Sequence, residues 1–286
     1  MILSIDIGGS KIKYGFINQK GKLFSPQKFD TPSTYEKLLD EIRLILKTST
    51  NKIEGIAISS AGVVHENGLI GGLAAIPYIL EKNMKIIFEK EFKMKISVEN
   101  DANCTSLSYL WEESQVNSLI SISIGTGVGG SIILNNQLYK GQDDWVAELG
   151  LISIKLPDKT ISVHKSISTS CVLKRINKHY KNPITGQEAF ELYKKGDLMV
   201  IKYFQQWFNN IAQLIINLEY LLNPQVILLT GGVTKQELFL EQILEERKNI
   251  VKVSNAHEFS TKIICSKHAN NANILGAAYK WYDIYS

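Results

Sequence analysis

Three carboxylates in this 286-residue chain stand where chemistry is possible: Asp6, Asp101 and Glu148. Asp101 lies in Glu99-Asn100-Asp101-Ala102-Asn103-Cys104, directly after the strand-like run Lys95-Ile96-Ser97-Val98. A carboxylate at a strand end can accept a hydroxyl proton, as the base of a phosphoryl transfer does. Its alternative role is to cap the helix that follows. Asn100 and Asn103 add donors and acceptors suited to a polyol. Asp6 precedes Gly8-Gly9-Ser10-Lys11, where an acid can hold Mg²⁺ or a metal-bound water beside phosphates, or simply form the turn. Lys11 either offers charge to a phosphoryl oxygen or is merely exposed. Glu148, in Ala147-Glu148-Leu149-Gly150, either accepts hydrogen bonds from paired hydroxyls or sits on the surface.

The glycines form two copies of one design. Ile5-Asp6-Ile7-Gly8-Gly9-Ser10-Lys11-Ile12-Lys13-Tyr14 and Ile122-Ser123-Ile124-Gly125-Thr126-Gly127-Val128-Gly129-Gly130-Ser131-Ile132 each set glycines between β-branched runs. Both read as strand, tight turn, strand. Glycine supplies positive φ and removes the Cβ, so backbone N–H groups can close on a phosphate. Dinucleotide and P-loop fingerprints open a helix instead, which excludes both here. Gly8, Gly9, Gly125, Thr126, Gly127, Gly129 and Gly130 are therefore assigned to phosphate approach, some of them serving only turn geometry. Gly231 and Gly232 follow the apolar run Val226–Thr230, where they either admit a nucleotide's base and ribose or start a helix.

Elements must hold these groups at strand ends. Strand-like runs occur at 2–7, 12–18, 22–29, 55–60, 95–98, 118–124 and 226–230. Helical spacing marks 34–47 and a helix near 83–92, and Asp101-Ala102-Asn103 can start a helix to Trp111. A long helical pattern runs from Asp197, a plausible N-cap, to the stop at Asn223-Pro224, and 271–282 reads as a terminal helix docking on the first lobe. The glycine turns all fall at the carboxyl ends of strands, where α/β sheets gather ligands. Two hairpins half a domain apart suggest two lobes facing one phosphate site.

Composition narrows the classes. With 44% hydrophobic and 21% charged residues and a net charge of +4, the chain reads as an ordinary globular protein. Its scattered lysines argue against nucleic acid as a partner. No apolar run nears the roughly 20 residues of a membrane span, and Met1 enters a strand directly, so a cytoplasmic location is expected. Cys104, Cys171 and Cys265 are far apart, and the five histidines lack ligand spacing, so no structural metal is expected.

Together these motifs resemble the ROK family (repressors, open reading frames, kinases) of the actin-like ATPase superfamily. The resemblance is carried by Asp6–Lys11, Ser60-Ala61-Gly62-Val63, Glu99–Asn103, Ile124–Gly130, Glu148-Leu149-Gly150 and Thr230-Gly231-Gly232-Val233. It implies an α/β fold of two actin-like, ribonuclease H-like lobes around an ATP and sugar cleft. The expected lobes are 1–117, with helix 271–286 packing back on it, and 118–270. It implies ATP held by Asp6, Gly8, Gly9, Ser10, Lys11 and the 124–130 turn, with Gly231 and Gly232 on the adenosine side. It implies Asp101 as catalytic base, sugar contacts from Gly62, Asn100, Asp101 and Glu148, Mg²⁺ carried with ATP, and a homodimer.

Three departures stand out. Ser10 replaces the usual Thr, Leu151 replaces the histidine of Glu-x-Gly-His, and Leu156–Ser170 holds no cysteine. The chain thus resembles the zinc-free branch, which includes N-acetylmannosamine kinases and β-glucoside kinases. Alignment puts His164 where the family has another sugar-binding Glu, although a surface His fits equally. The implied activity is transfer of the ATP γ-phosphoryl to O6 of a hexose or N-acetylhexosamine. Ser59–Val63 tips the sugar toward N-acetylmannosamine, with glucose, mannose and β-glucosides as alternatives, and Gly71–Tyr78 is expected at the sugar mouth. The family's repressors carry a helix-turn-helix before the kinase body, for which a phosphate strand starting at Ile2 leaves no room. Acetate-kinase-like chemistry is disfavoured by Glu99-Asn100-Asp101.

Overall fold

The strand Ile2–Ile7 is buried at every position, because it becomes the middle of a sheet covered on both faces. The computed structural model describes residues 1–72, 76–155, 160–268 and 271–286. Its contacts divide the chain into two units. One comprises Met1–Gln115, Leu138–Val146 and Asn270–Ser286, the other Val116–Gln137 and Ala147–Ala269. Residues 138–146, which the sequence reading left in the second lobe, thus cluster with the first.

In the first unit the sheet runs in the order Leu23–Asp30, Lys11–Ile17, Ile2–Ile7, Gly55–Ser60 and Lys95–Asn100. The first three strands are antiparallel and the last three parallel. Alternation sorts the side chains of the first strand. Leu3, Ile5 and Ile7 join Leu38, Ile42 and Phe88 under helices Tyr35–Thr48 and Met84–Phe92. Ile2 belongs to the opposite face, with Cys104, Ile274, Ala278 and Trp281 of helices Asp101–Leu110 and Ala272–Tyr285. Ser4 and Asp6 share that side, since Ser4 Oγ donates to the Ile274 carbonyl at 2.6 Å. The outer strand carries Pro26 and a register shift opposite Tyr14 and Phe16, both suited to an edge.

The second sheet, which belongs to the second unit except for Leu138, repeats the order: Gln137–Leu138, Val128–Leu134, Ser118–Ile124, Val226–Thr230 and Lys262–Cys265. Ser118–Ile124 pairs antiparallel with Val128–Leu134 and parallel with Val226–Thr230. Helix Leu198–Leu222 starts as expected, with Asp197 Oδ1 accepting from the N–H groups of Met199 and Val200 at 3.0 Å, and ends at left-handed Asn223. Its face packs Phe204, Trp207 and Phe208 against Phe190 and Phe239.

Several elements lay outside the sequence reading. They include helices Thr169–Ile176, Gly186–Lys194 and Glu237–Ser254, the hairpin Ser153–Lys155 with Thr160–Ser162, and the four-residue strand Lys262–Cys265. Thr185 and Glu188 do form a capping box, so a signal for the Gly186–Lys194 helix was present.

The terminal helix lies so close to helix Asp101–Leu110 that a Cβ on Gly276 would overlap the Cys104 carbonyl. Gly276→Ala should therefore cost about 1–3 kcal/mol by overpacking, read as a lower urea midpoint. An unchanged midpoint would show that this contact yields freely.

Candidate active site

The end of Lys95–Asn100 is organised by a buried acid. Glu99 is 1% exposed. Its Oε1 accepts from Asn100 N at 2.8 Å and Asn103 Nδ2 at 2.9 Å. Its Oε2 lies 2.9 Å from Lys140 Nζ, an ion pair rather than a well-directed hydrogen bond. Lys140 Nζ also donates to the Val64 carbonyl at 3.1 Å.

Asn100 is the N-cap of the following helix. Its Oδ1 accepts from Ala102 N at 2.9 Å and Asn103 N at 3.1 Å, and its Nδ2 donates to the Gly62 carbonyl at 2.8 Å. The cap role considered for Asp101 thus falls mainly to its neighbour. Asp101 becomes the first helical residue, with Oδ1 accepting from Ala102 N at 2.8 Å. A carboxylate in a first turn sits at the positive end of the helix dipole. Gly62, at φ 98°, turns the chain so that its carbonyl meets Asn100.

Asp6 is nearly buried, and its strand partners satisfy it. Oδ1 accepts from Ser59 Oγ at 3.0 Å and Asn273 Nδ2 at 3.1 Å, while Lys13 Nζ lies 3.6 Å from Oδ2. Lys13, the residue paired with Asp6 across the hairpin, was missed by the sequence reading. Lys11, which that reading preferred, sits 2.6 Å from Asp30 Oδ1 and is half exposed. Thr31, also missed, pins the first glycine turn. Its Oγ1 donates to the Gly8 carbonyl at 2.6 Å, and its N–H to the Ser10 carbonyl at 3.1 Å.

In the second unit, the turn after Ile124 is closed by Gly125 N–H on the Gly127 carbonyl at 3.0 Å. It is braced from helix Thr169–Ile176, where Thr169 N donates to the Gly125 carbonyl and Ser170 Oγ to the Thr126 carbonyl at 2.7 Å. Of the two reasons expected for these glycines, positive φ and a missing Cβ, the first does not apply, since none of Gly8, Gly9, Gly125, Gly127, Gly129 and Gly130 has a positive φ. Their contribution is the missing side chain. A Cβ on Gly125 or Gly232 would meet nothing within 4 Å, which leaves those backbones open to a ligand. Gly231 is different. At φ 108° its backbone crosses Ile124 so closely that any Cβ would overlap the Ile124 carbonyl, which ties it to the turn that follows Ile124.

Glu148 is held by similar close packing. Gly150 has no room for a side chain against the Val128 carbonyl, and a Cβ on Gly130 would lie 2.8 Å from the Ala147 carbonyl. Burial pushes the Glu148 carboxyl up from its ordinary value. Its ionised form is poorly hydrated and so favours hydroxyl donors. His164 lies beside the Gly125–Gly127 turn, with Nδ1 3.8 Å from a Cβ built on Gly127 and Nε2 3.8 Å from Cys171 Sγ.

Among the described residues, no group of three or more His, Cys, Asp or Glu is placed to share a metal ion. None of their helices is long and apolar enough to cross a membrane. Of the expected sugar-mouth segment Gly71–Tyr78, residues 73–75 lie outside the described residues, as do 156–159 of the zinc-loop region.

Removing one partner of a buried pair strands the other charge. Lys140→Ala should lower unfolding free energy by about 3 kcal/mol in urea melts, and Glu99→Gln in the same chain should recover part of that loss. A neutral Lys140→Ala would refute the organising role of this pair.

The geometry can be set beside known proteins. The ROK family model matches residues 2–284. A beta-glucoside kinase from Klebsiella pneumoniae is 27% identical, spanning 99% of this chain and 97% of its own. A ROK family protein from Streptococcus pneumoniae, solved with sucrose, has a TM-score of 0.92 at 27% identity over 99% of this chain and 98% of that one. A Listeria monocytogenes protein proposed to be an N-acetylmannosamine kinase gives 0.89 at 26% identity, over 100% and 99%. The chain belongs to the ROK family, and its two α/β units are the actin-like lobes of that family.

Proposed function

We propose that the chain is an ATP-dependent sugar kinase that transfers the γ-phosphoryl group to O6 of a hexopyranose. The observation that carries this reading is the placement of Asp101. It opens a helix at a strand end, while Glu99 and Asn100 take up the local capping and anchoring work. A carboxylate at that position can accept the O6 proton as the oxygen attacks phosphorus in line. Asn100 holds the strand end and Gly62 together, and its second amide hydrogen serves a sugar hydroxyl. Glu148 accepts from a pair of sugar hydroxyls.

The open backbones at Gly125 and Gly232 suit ATP. Asp6, with Lys13 beside it, suits a water of Mg²⁺, which would neutralise charge on the transferring phosphoryl. The neutralised Lys11 is a weaker candidate for phosphate than Lys13.

For the acceptor, a β-glucoside comes first and N-acetylmannosamine second. The latter is supported by the resemblance of Ser59–Val63 to N-acetylmannosamine kinases and by the likeness of the whole chain to the Listeria monocytogenes protein proposed to be one. End-to-end similarity to beta-glucoside kinases supports the former.

Asp101→Asn keeps hydrogen-bonding capacity and removes the base. It should bind sugar within about threefold of wild type by calorimetry while kcat falls about a thousandfold in an ADP-release assay. Retained kcat would remove Asp101 from the role.

A further inference from the structure

The segment from Lys140 to Trp145 has no part in the chemistry above, yet it is tied to the neighbours of Asp101. Lys140 is held by Glu99 and the Val64 carbonyl. Four residues on, Asp144 Oδ2 lies 2.9 Å from His65 Nδ1. Asp144 reaches it from a left-handed conformation, φ 63°, which aspartate tolerates better than most residues. Next comes Trp145, 47% exposed. A Cβ on Gly72 would lie 3.5 Å from its Cη2, and one on Gly71 would lie 3.4 Å from His65 Nε2, so the indole and the imidazole border the same glycine pair. Beside them is an open hollow of about 580 Å³ lined by His65, Glu66, Asn67, Leu69 and Asp144. Ligand clefts span about 300–1,000 Å³.

We infer that this strap forms a second sugar subsite, in which Trp145, Asp144 and His65 receive the ring β-linked to the phosphorylated glucose. The inference rests on the sugar kinase reading. A pyranose offers an apolar C–H face and equatorial hydroxyls. An exposed indole matches the face, and a carboxylate held by an imidazole matches the hydroxyls. Glu66 and Asp144 make the hollow acidic, which disfavours a phosphate or nucleotide. Trp145 is therefore a specificity-determining residue, and it acts on glycosides only.

The test compares cellobiose with glucose on the full chain with Mg·ATP. Trp145→Ala should raise KM for cellobiose at least about fivefold, with glucose KM within about twofold and kcat unchanged for both. Trp145→Tyr, which keeps an aromatic face, should restore most of the cellobiose KM. Equal effects on both sugars, or none on cellobiose, would overturn the subsite. So would a changed oligomeric state in sedimentation with an unaltered cellobiose KM, which would make this face a contact between copies.

Binding is read separately, without ATP. Trp207 and Trp281 are 1% and 3% exposed and Trp111 is part-buried, so Trp145 is the most exposed of the tryptophans. Cellobiose should shift emission in wild type and not in Trp145→Phe. If cellobiose shifts the emission but no sugar is phosphorylated, the kinase reading fails and the subsite stands. If glucose is phosphorylated and cellobiose leaves the emission unchanged, the subsite fails and the kinase reading stands.

Discussion

A carboxylate buried to 1% exposure cannot be left unpaired, and Glu99 imposes that constraint on everything near Asp101. Its demands are met by the Asn100 N–H, the Asn103 side chain and Lys140. Those three partners fix the end of one strand, the start of one helix and a strap nearly forty residues further along the chain. Asp101 is oriented as a consequence, because the residues on both sides of it are anchored. The strap that presents Trp145 is anchored by the same charge. The proposed proton acceptance and the proposed recognition of a second ring therefore share one electrostatic support.

The two units solve the same structural problem with different chemistry. Asp6 pairs with Lys13 across its hairpin and with Ser59 on the parallel side. The corresponding pairings in the second unit join Ser123 to Gly129 and to Thr230. One hairpin end thus carries a carboxylate and an ammonium, while its counterpart carries a hydroxyl and bare backbone. In the proposed kinase, that difference would suit the first unit to a hydrated cation and the second to phosphate oxygens met by main chain. It also explains why the glycines matter without positive φ. At Gly125 and Gly232 the absent side chain leaves space, and at Gly130 and Gly150 it lets two segments touch.

Much of this was legible in the sequence, for physical reasons. Ile2–Ile7, Gly55–Ser60 and Val226–Thr230 are rich in apolar residues and buried throughout because strands with parallel neighbours are covered on both faces. Asp197 and Asn223-Pro224 mark the long helix because caps depend on local hydrogen bonds. What depended on tertiary pairing was hidden. Lys13 looks no different from Lys11 until the hairpin register sets it beside Asp6. Lys140 and Thr31 act through partners far away in sequence. The strand Lys262–Cys265 is too short for periodicity to reveal, and its place comes from pairing with Val226–Thr230. Segment 138–146 continues the second hairpin in sequence, so only the contacts of Lys140 and Asp144 reveal its attachment to the first unit.

The central claim is phosphoryl transfer from ATP to a primary sugar hydroxyl. It is tested most directly by ³¹P and ¹³C NMR of the chain with Mg·ATP and C6-labelled glucose or cellobiose. ADP should form only when the sugar is present, together with a phosphomonoester whose ³¹P signal is coupled to the labelled C6. ATP hydrolysis to free phosphate at the same rate with and without every sugar would contradict it, as would a phosphoester at the anomeric carbon.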